Sequence, residues 1–330
     1  MGVVVDIFNP QTSVLAAGLE GKTILIYGLN NTGKTYVAAR LPKPYFLACE
    51  SGLNAQAGVK YNRISNWADF RKVVKQLTSA STVEKARELY DTIIIDEVYA
   101  ASLMCQDFVL STYGDGALTL ADGDSKHNLY QCYEKIFFQM INLLLSRDYT
   151  VVFIGHAKED TKTGFISPKG DKRCINPIVD NCDFVFYVQS NGVNDKGELI
   201  KSSAYCYQND KFFARSRFEY CKPVIQEFSA ENLVETIKDA VLKQAEKDGA
   251  EVVSYSEQKA KNTTESENFE DVMKEVQELG GKFVEANRTE ELTEIIEGIL
   301  GPGGKVGNCT KKQLSAVIII RDELKQALDS

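Results

Sequence analysis

The eight residues Gly28-Leu29-Asn30-Asn31-Thr32-Gly33-Lys34-Thr35 satisfy the pattern G-x-x-x-x-G-K-[ST] at every fixed position. The apolar, β-branched run TILIY (23–27) precedes them, and residues 33–40 have helical spacing. Strand, glycine-containing bend and helix in that order constrain the fold and the ligand together. The amides of such a bend close around an anion, the helix start adds partial positive charge, and the lysine supplies a point charge. Gly28, Asn30, Asn31, Thr32, Gly33, Lys34, Thr35 and Tyr36 are therefore expected to bind a nucleotide. In this arrangement Lys34 meets the β- and γ-phosphates, and the Thr35 hydroxyl ligates Mg²⁺. A glycine turn that happens to carry a lysine would need neither the strand nor the helix.

A second apolar run, Asp91-Thr-Ile-Ile-Ile-Asp96-Glu97, ends in acid. An acid after a hydrophobic strand is common, but its place downstream of the lysine-threonine pair suits Asp96 as the residue that holds Mg²⁺ through water. Short β-branched runs recur at 23–27, 45–49, 92–96, 150–155 and 183–188, with helix-period stretches at 33–40, 67–77, 99–110 and 128–146 between them. The alternation predicts an α/β core whose mostly parallel sheet is covered on both faces. After residue 188 the punctuation turns hairpin-like, around 199–208 and 212–218.

Near residue 229 the character changes. Ser229 is the predicted N-cap of a helix over 230–248 bearing Leu233, Ile237, Val241 and Leu242. Residues 249–268 are polar and are expected to form a linker. Residues 269–330 are expected to form a small acidic helical module, with helices at 269–279, 289–300 and 311–328 broken by GPGG. The nucleotide-binding core is thus predicted over 1–229.

Charge follows the same division. Residues 231–330 carry 21 acidic and 13 basic side chains, which accounts for the whole net charge of −8. This argues against indiscriminate nucleic-acid binding and leaves room for a local basic stripe on the neutral part. No apolar run approaches the roughly 18 residues of a membrane span. MGVVVDIFNPQTS has no basic segment ahead of an apolar stretch, so a reducing cytoplasm is expected. The eight cysteines, none in C-x-x-C spacing, then read as small buried hydrophobes, and the two histidines, His127 and His156, argue against a zinc site.

From about residue 20 to 220 an ordered series of segments resembles the RecA-like P-loop ATPases, in particular the compact phage-encoded ATPases of single-strand annealing and recombination. Tyr45-Phe-Leu-Ala-Cys-Glu50 resembles the family strand that ends in a catalytic glutamate beside the P-loop strand, where the carboxylate polarises the attacking water. Glu97 is the rival for that role. Val151-Val-Phe-Ile-Gly-His156 resembles the strand whose terminal polar residue senses the γ-phosphate. Two loops occupy the places of the family's DNA-binding loops. One is 113–126. The other, 158–173, carries Lys158, Lys162, Lys169, Lys172 and Arg173, with Phe165 available for base stacking. An ordinary solvated hairpin is the plainer reading of the second loop. Lys211, Arg215 and Arg217 stand where family members send a cation into the neighbouring subunit's nucleotide, or they are simply the outward side of a strand.

The resemblance implies ATP and Mg²⁺ as cofactors, single-stranded DNA as a partner and a homo-oligomer as the working form. No N-K-x-D tetrad for guanine occurs. Residues 1–20 are too short for the bacterial recombinase's oligomerisation helix and strand, and that protein has no counterpart of the acidic module. The module is expected to compete with DNA or to dock on a partner such as single-strand-binding protein. The alternative to a DNA-stimulated ATPase is a nucleotide-dependent adaptor with little turnover that recruits its partner through the C-terminal helices. A helicase or packaging motor is disfavoured because no accompanying nuclease-like or helicase-partner segment is visible.

Overall fold

The computed structural model describes residues 8, 10, 12–122, 126–262 and 267–329. They fall into two compact units, Gln11–Lys259 and, separately, Ala260–Ser330 with Met1–Pro10.

The larger unit is built on one sheet. In chain order its strands are β1 Leu15–Ala16, β2 Thr23–Gly28, β3 Pro44–Ala48, β4 Tyr61–Arg63, β5 Thr92–Asp96, β6 Thr150–Glu159, β7 Ile166–Pro168, β8 Phe184–Gln189, β9 Ser203–Tyr205, β10 Arg215–Ser216, β11 Val224–Ile225 and β12 Val252–Val253. Six of them, in the order β8-β2-β6-β5-β3-β4, are parallel. β9 and β10 pair antiparallel with β8, and β11 extends the edge through β9. β1 and β12 form a separate parallel pair.

Alternate residues of the central strands feed two cores. Leu25, Tyr27, Ile93, Ile95, Val151 and Phe153 face one layer, with Trp67, Phe70, Tyr133 and Phe137. Ile24, Ile26, Ile94, Val152, Ile154 and Phe186 face the other, with Val37, Leu233 and Ile237. Both faces are dry, which is why these strands read as unbroken apolar runs.

The helices of this unit are α1 Lys34–Ala38, α2 Trp67–Thr78, α3 Val83–Leu89, α4 Val98–Tyr113, α5 Leu129–Ser146, α6 Lys172–Asn181, α7 Ala230–Asp248 and α8 Tyr255–Asn262. Side-chain caps set several starts: Asn66 on α2, Asn128 on α5 and Ser229 on α7, as its sequence predicts.

Four expectations need correction. First, α7 is part of the core unit: Leu233, Ile237, Ala240 and Val241 are buried, whereas Leu242 is half exposed. The unit boundary therefore lies near 259, not 229. Second, the polar stretch 249–268 is not simply a linker. It forms β12, whose Val252 pairs with Leu15, and α8, whose Lys259 ammonium sits 2.6 Å from the Asp148 carboxylate. Third, β3 does not lie beside the P-loop strand. It pairs with β5, and β6 and β5 stand between it and β2. Fourth, residues 158–173 are a loop only in part, and the plainer hairpin reading is the one the structure takes. They form the antiparallel β6–β7 hairpin and the first turn of α6.

The second unit comprises α9 Phe269–Glu285, α10 Thr289–Leu300 and α11 Leu314–Asp329 around Val272, Val276, Phe283, Val317, Ile320 and Leu324. α9 runs through Gly280–Gly281, where the sequence predicts a stop. Fully buried Phe283 repays the roughly 1 kcal/mol helix penalty of each glycine. Six cysteines are buried and Cys132 and Cys309 partly so, all as free thiols. Among the described residues no helix is long and apolar enough to cross a membrane.

Candidate active site

The parallel strands are in register at their carboxyl ends: Gly28 opposite His156, and Asp96 opposite both Ile154 and Ala48. Glu50, Asp96, Glu97 and His156 therefore emerge at the same edge as the phosphate-binding bend. The amides of Cys49 and Glu50 both point to the Asp96 carbonyl, at 2.6 and 3.3 Å, which ties the β3 end to the β5 end.

The bend needs its glycines for two different reasons. A Cβ on Gly28 would lie 2.3 Å from the Val188 carbonyl, so β8 could not approach. Gly33 caps α1 at φ +83°, a conformation costly for a residue with a Cβ. Asn31 also takes positive φ, +62°. Asn30, Asn31 and Tyr36 are open to solvent, whereas Thr32 is buried and its hydroxyl donates to the Leu29 carbonyl at 3.0 Å.

Lys34 is 6% exposed, and its ammonium donates to the carbonyls of Gly28 and Leu29 at 3.1 and 2.7 Å. Burial pulls its pKa down to about 8, against the opposing pull of Asp96, Glu50 and Glu97. Thr35 Oγ1 donates to Asp96 Oδ2 at 3.1 Å. Asp96 is 2% exposed and burial pushes its pKa up to about 6, with the Thr35 bond acting the other way. Its other oxygen, Oδ1, is buried and has no hydrogen-bond partner among the described residues. An orphaned carboxylate oxygen costs on the order of 1–3 kcal/mol, and beside a threonine hydroxyl at a phosphate cradle it fits a Mg²⁺ ion or one of its waters.

Glu97 is 3% exposed. Its two oxygens accept the amides of Tyr99 and Ala100, each at 3.2 Å, so it caps α4. Burial raises its pKa, while His156 and the two amides lower it. Glu50 is more than one-third exposed, and its carboxylate lies 3.5 Å from His156 Nε2. His156 Nδ1 is buried without a hydrogen-bond partner among the described residues.

The remaining predicted residues divide by place. Lys158, Lys162, Lys169, Lys172 and Arg173 are all exposed on the hairpin and at the start of α6. The Lys169 amide donates to the His156 carbonyl at 2.8 Å, and its ammonium lies over the Tyr99 ring. Arg173 stacks on Tyr130. Arg215 and Arg217 sit by the opposite, amino-terminal edge of the sheet and pair with Asp180 and Asp183 at 3.7 and 3.3 Å. Lys211 is exposed next to the hairpin, where its carbonyl accepts the Ile166 amide. In the 113–126 segment, Gly123, Asp124 and Ser125 lie outside the described residues, and Asp122 caps the turn by accepting the amides of Leu118 and Thr119. Sequence reasoning missed Arg63, on β4, whose guanidinium donates to Ser51 Oγ at 3.1 Å beside Glu50. A basic residue at the end of an exposed YNR triplet gave no signal.

A parallel sheet with a glycine-containing phosphate bend, a buried acid and a polar strand tip at one edge defines a P-loop NTPase. Residues 20–218 match the AAA domain family, and the chain belongs to that family. Over 324 residues it is 46% identical to the SPbeta prophage-derived uncharacterized protein YorG of Bacillus subtilis (strain 168), a match covering 98% of this chain and 99% of that one.

The Asp96 environment makes stability depend on pH. Its folded pKa, about 6, exceeds the ordinary 3.8, so the folded state keeps the proton longer. That contribution is present at low pH and is lost as pH rises toward 6, by about 3 kcal/mol. A cation offsets the loss only where Asp96 is ionised. Melting with ADP plus Mg²⁺, compared with ADP alone, should therefore show a Mg²⁺ gain at pH 7.5 that is largely absent at pH 5.

Proposed function

We propose that this chain is a phage-encoded ATPase of DNA recombination or single-strand annealing that acts on single-stranded DNA as a homo-oligomer. One observation carries the reading: the bond from the Lys169 amide to the His156 carbonyl fastens a hairpin of exposed cations to the strand tip that faces the nucleotide. Loss of the γ-phosphate at His156 is then felt by the residues that grip the DNA backbone.

In this reading the bend from Gly28 to Thr35 orients the triphosphate, and Mg²⁺ held by Thr35 and Asp96 neutralises phosphate charge. Glu50, the accessible carboxylate beside His156, takes the proton of the attacking water. Of the three trans-finger candidates, Lys211 is the one with no ion pair among the described residues, and it serves the neighbouring subunit. The prophage origin of YorG supports a host-cytoplasm setting. The C-terminal unit has its own apolar core and favours a second reading, an adaptor that turns over slowly and recruits a partner such as single-strand-binding protein.

The test is phosphate release with and without single-stranded DNA, together with DNA affinity against salt. Turnover should rise severalfold with DNA. Lys158→Ala combined with Lys162→Ala should reduce the salt slope of DNA binding by about 1.4, at about 0.7 per phosphate contact on a single strand. Near-zero turnover that DNA does not change, with partner capture through 260–330, would leave the adaptor.

A further inference from the structure

Glu50, Glu97 and His156 come from three elements: the turn after β3, the cap of α4 and the carboxyl-terminal half of β6. One donor atom from each lies within 4.8 Å of the others. Carboxylates held this close repel unless something cationic lies between them. The Lys34 ammonium is engaged with the carbonyls of Gly28 and Leu29. His156 turns Nε2 toward the Glu50 carboxylate, 3.5 Å away, and its buried Nδ1 has no hydrogen-bond partner among the described residues.

We propose that Glu50, Glu97 and His156 form a site for a divalent transition-metal ion of the zinc–cobalt class in the nucleotide-free protein, separate from the Mg²⁺ position at Thr35 and Asp96. The donor set decides the class. Carboxylates alone would suit Mg²⁺ or Ca²⁺, whereas an imidazole among them selects a softer ion. Two carboxylates neutralise a dication, and three protein ligands leave a fourth position for water. Glu97 is held in place by the amides of Tyr99 and Ala100, and each of its oxygens keeps a second lone pair. The sequence argument against zinc weighed histidines and cysteines and could not foresee two glutamates folding onto one histidine. Occupancy withdraws Glu50 and His156 from the water and the γ-phosphate, so the bound ion holds the ATPase off. Binding itself does not depend on the ATPase reading and is measured without nucleotide.

The experiment is titration of the nucleotide-free full-length chain with Co²⁺, followed by visible and near-ultraviolet absorption. One equivalent should bind with visible d–d bands, without the intense near-ultraviolet absorption of a thiolate–cobalt bond, and Zn²⁺ should displace it. His156→Ala and Glu50→Gln should each weaken Co²⁺ binding by about tenfold or more, with unchanged circular dichroism verifying the fold. Thiolate-type absorption, no band at one equivalent, or variants that bind Co²⁺ as the wild type does would each overturn the proposal. Absence of ATPase activity would leave it standing.

Discussion

Lys34→Ala is expected to reduce ATP turnover by about 10³-fold or more, the scale of losing one preorganised charge at a phosphoryl group, and to take DNA-stimulated turnover with it. The ammonium is buried at the mouth of the bend and held by the loop's own carbonyls at 2.7 and 3.1 Å. Phosphate oxygens entering the bend exchange those neutral acceptors for anionic ones, which is a stronger bond in a dry site. Alanine removes the charge and leaves the glycines and amides in place, so residual nucleotide binding should persist while hydrolysis does not. A pH signature accompanies the loss. Because burial brings the Lys34 pKa down to about 8, the free protein progressively loses the ammonium as pH rises through 8. Wild-type nucleotide affinity should therefore fall between pH 7 and 9, and that of Lys34→Ala should stay flat, as read by titration with a fluorescent nucleotide. Unchanged turnover in the variant would remove the site assignment altogether.

What could be read in advance followed from how local the information was. The bend, its strand and its helix are contiguous, so Gly28 to Thr35 carried them in a single stretch. The ends of β2 and β5 were legible because a strand covered on both faces is apolar throughout, whereas β6 runs past its predicted end at 155 to Glu159, where it pairs with β7. The neighbours of β3 were not legible: strand order is set by crossovers, and nothing in Tyr45 to Glu50 says that β5 and β6 separate it from β2. Even so, Glu50 reaches the site, because its amide and that of Cys49 are drawn to the Asp96 carbonyl. α6 hid behind the basic and glycine-rich residues ahead of it, although Cys174, Ile175, Ile178 and Val179 spelled out a buried helical face. The capping role of Glu97 was not legible, because glutamate lies outside the preferred N-cap set of Ser, Thr, Asp and Asn and the predicted helix began at 99 rather than 98. Its proximity to Asp96 invited a catalytic reading instead.

That cap separates the two candidate bases. Glu50→Gln should lower turnover by about 10²–10⁴-fold, the usual contribution of a general base, with nucleotide affinity and melting temperature little changed. Glu50 is partly exposed and its only ion-pair partner among the described residues is His156. Glutamine preserves its shape but removes the negative charge and with it the capacity to accept a proton. Glu97→Gln acts on a different quantity. Its carboxylate satisfies two amides at the start of α4 and places negative charge at a helix N-terminus. A neutral amide can still accept one of those bonds but forfeits the charge, so unfolding free energy should fall by about 1 kcal/mol, while turnover drops far less than in Glu50→Gln. The two variants, compared by thermal melting and by single-turnover hydrolysis, give opposite patterns if Glu50 is the base. If Glu97→Gln instead abolished hydrolysis with its melting temperature intact, the carboxylate at the α4 cap would be the proton acceptor, and Glu50 would be left with the task of orienting His156.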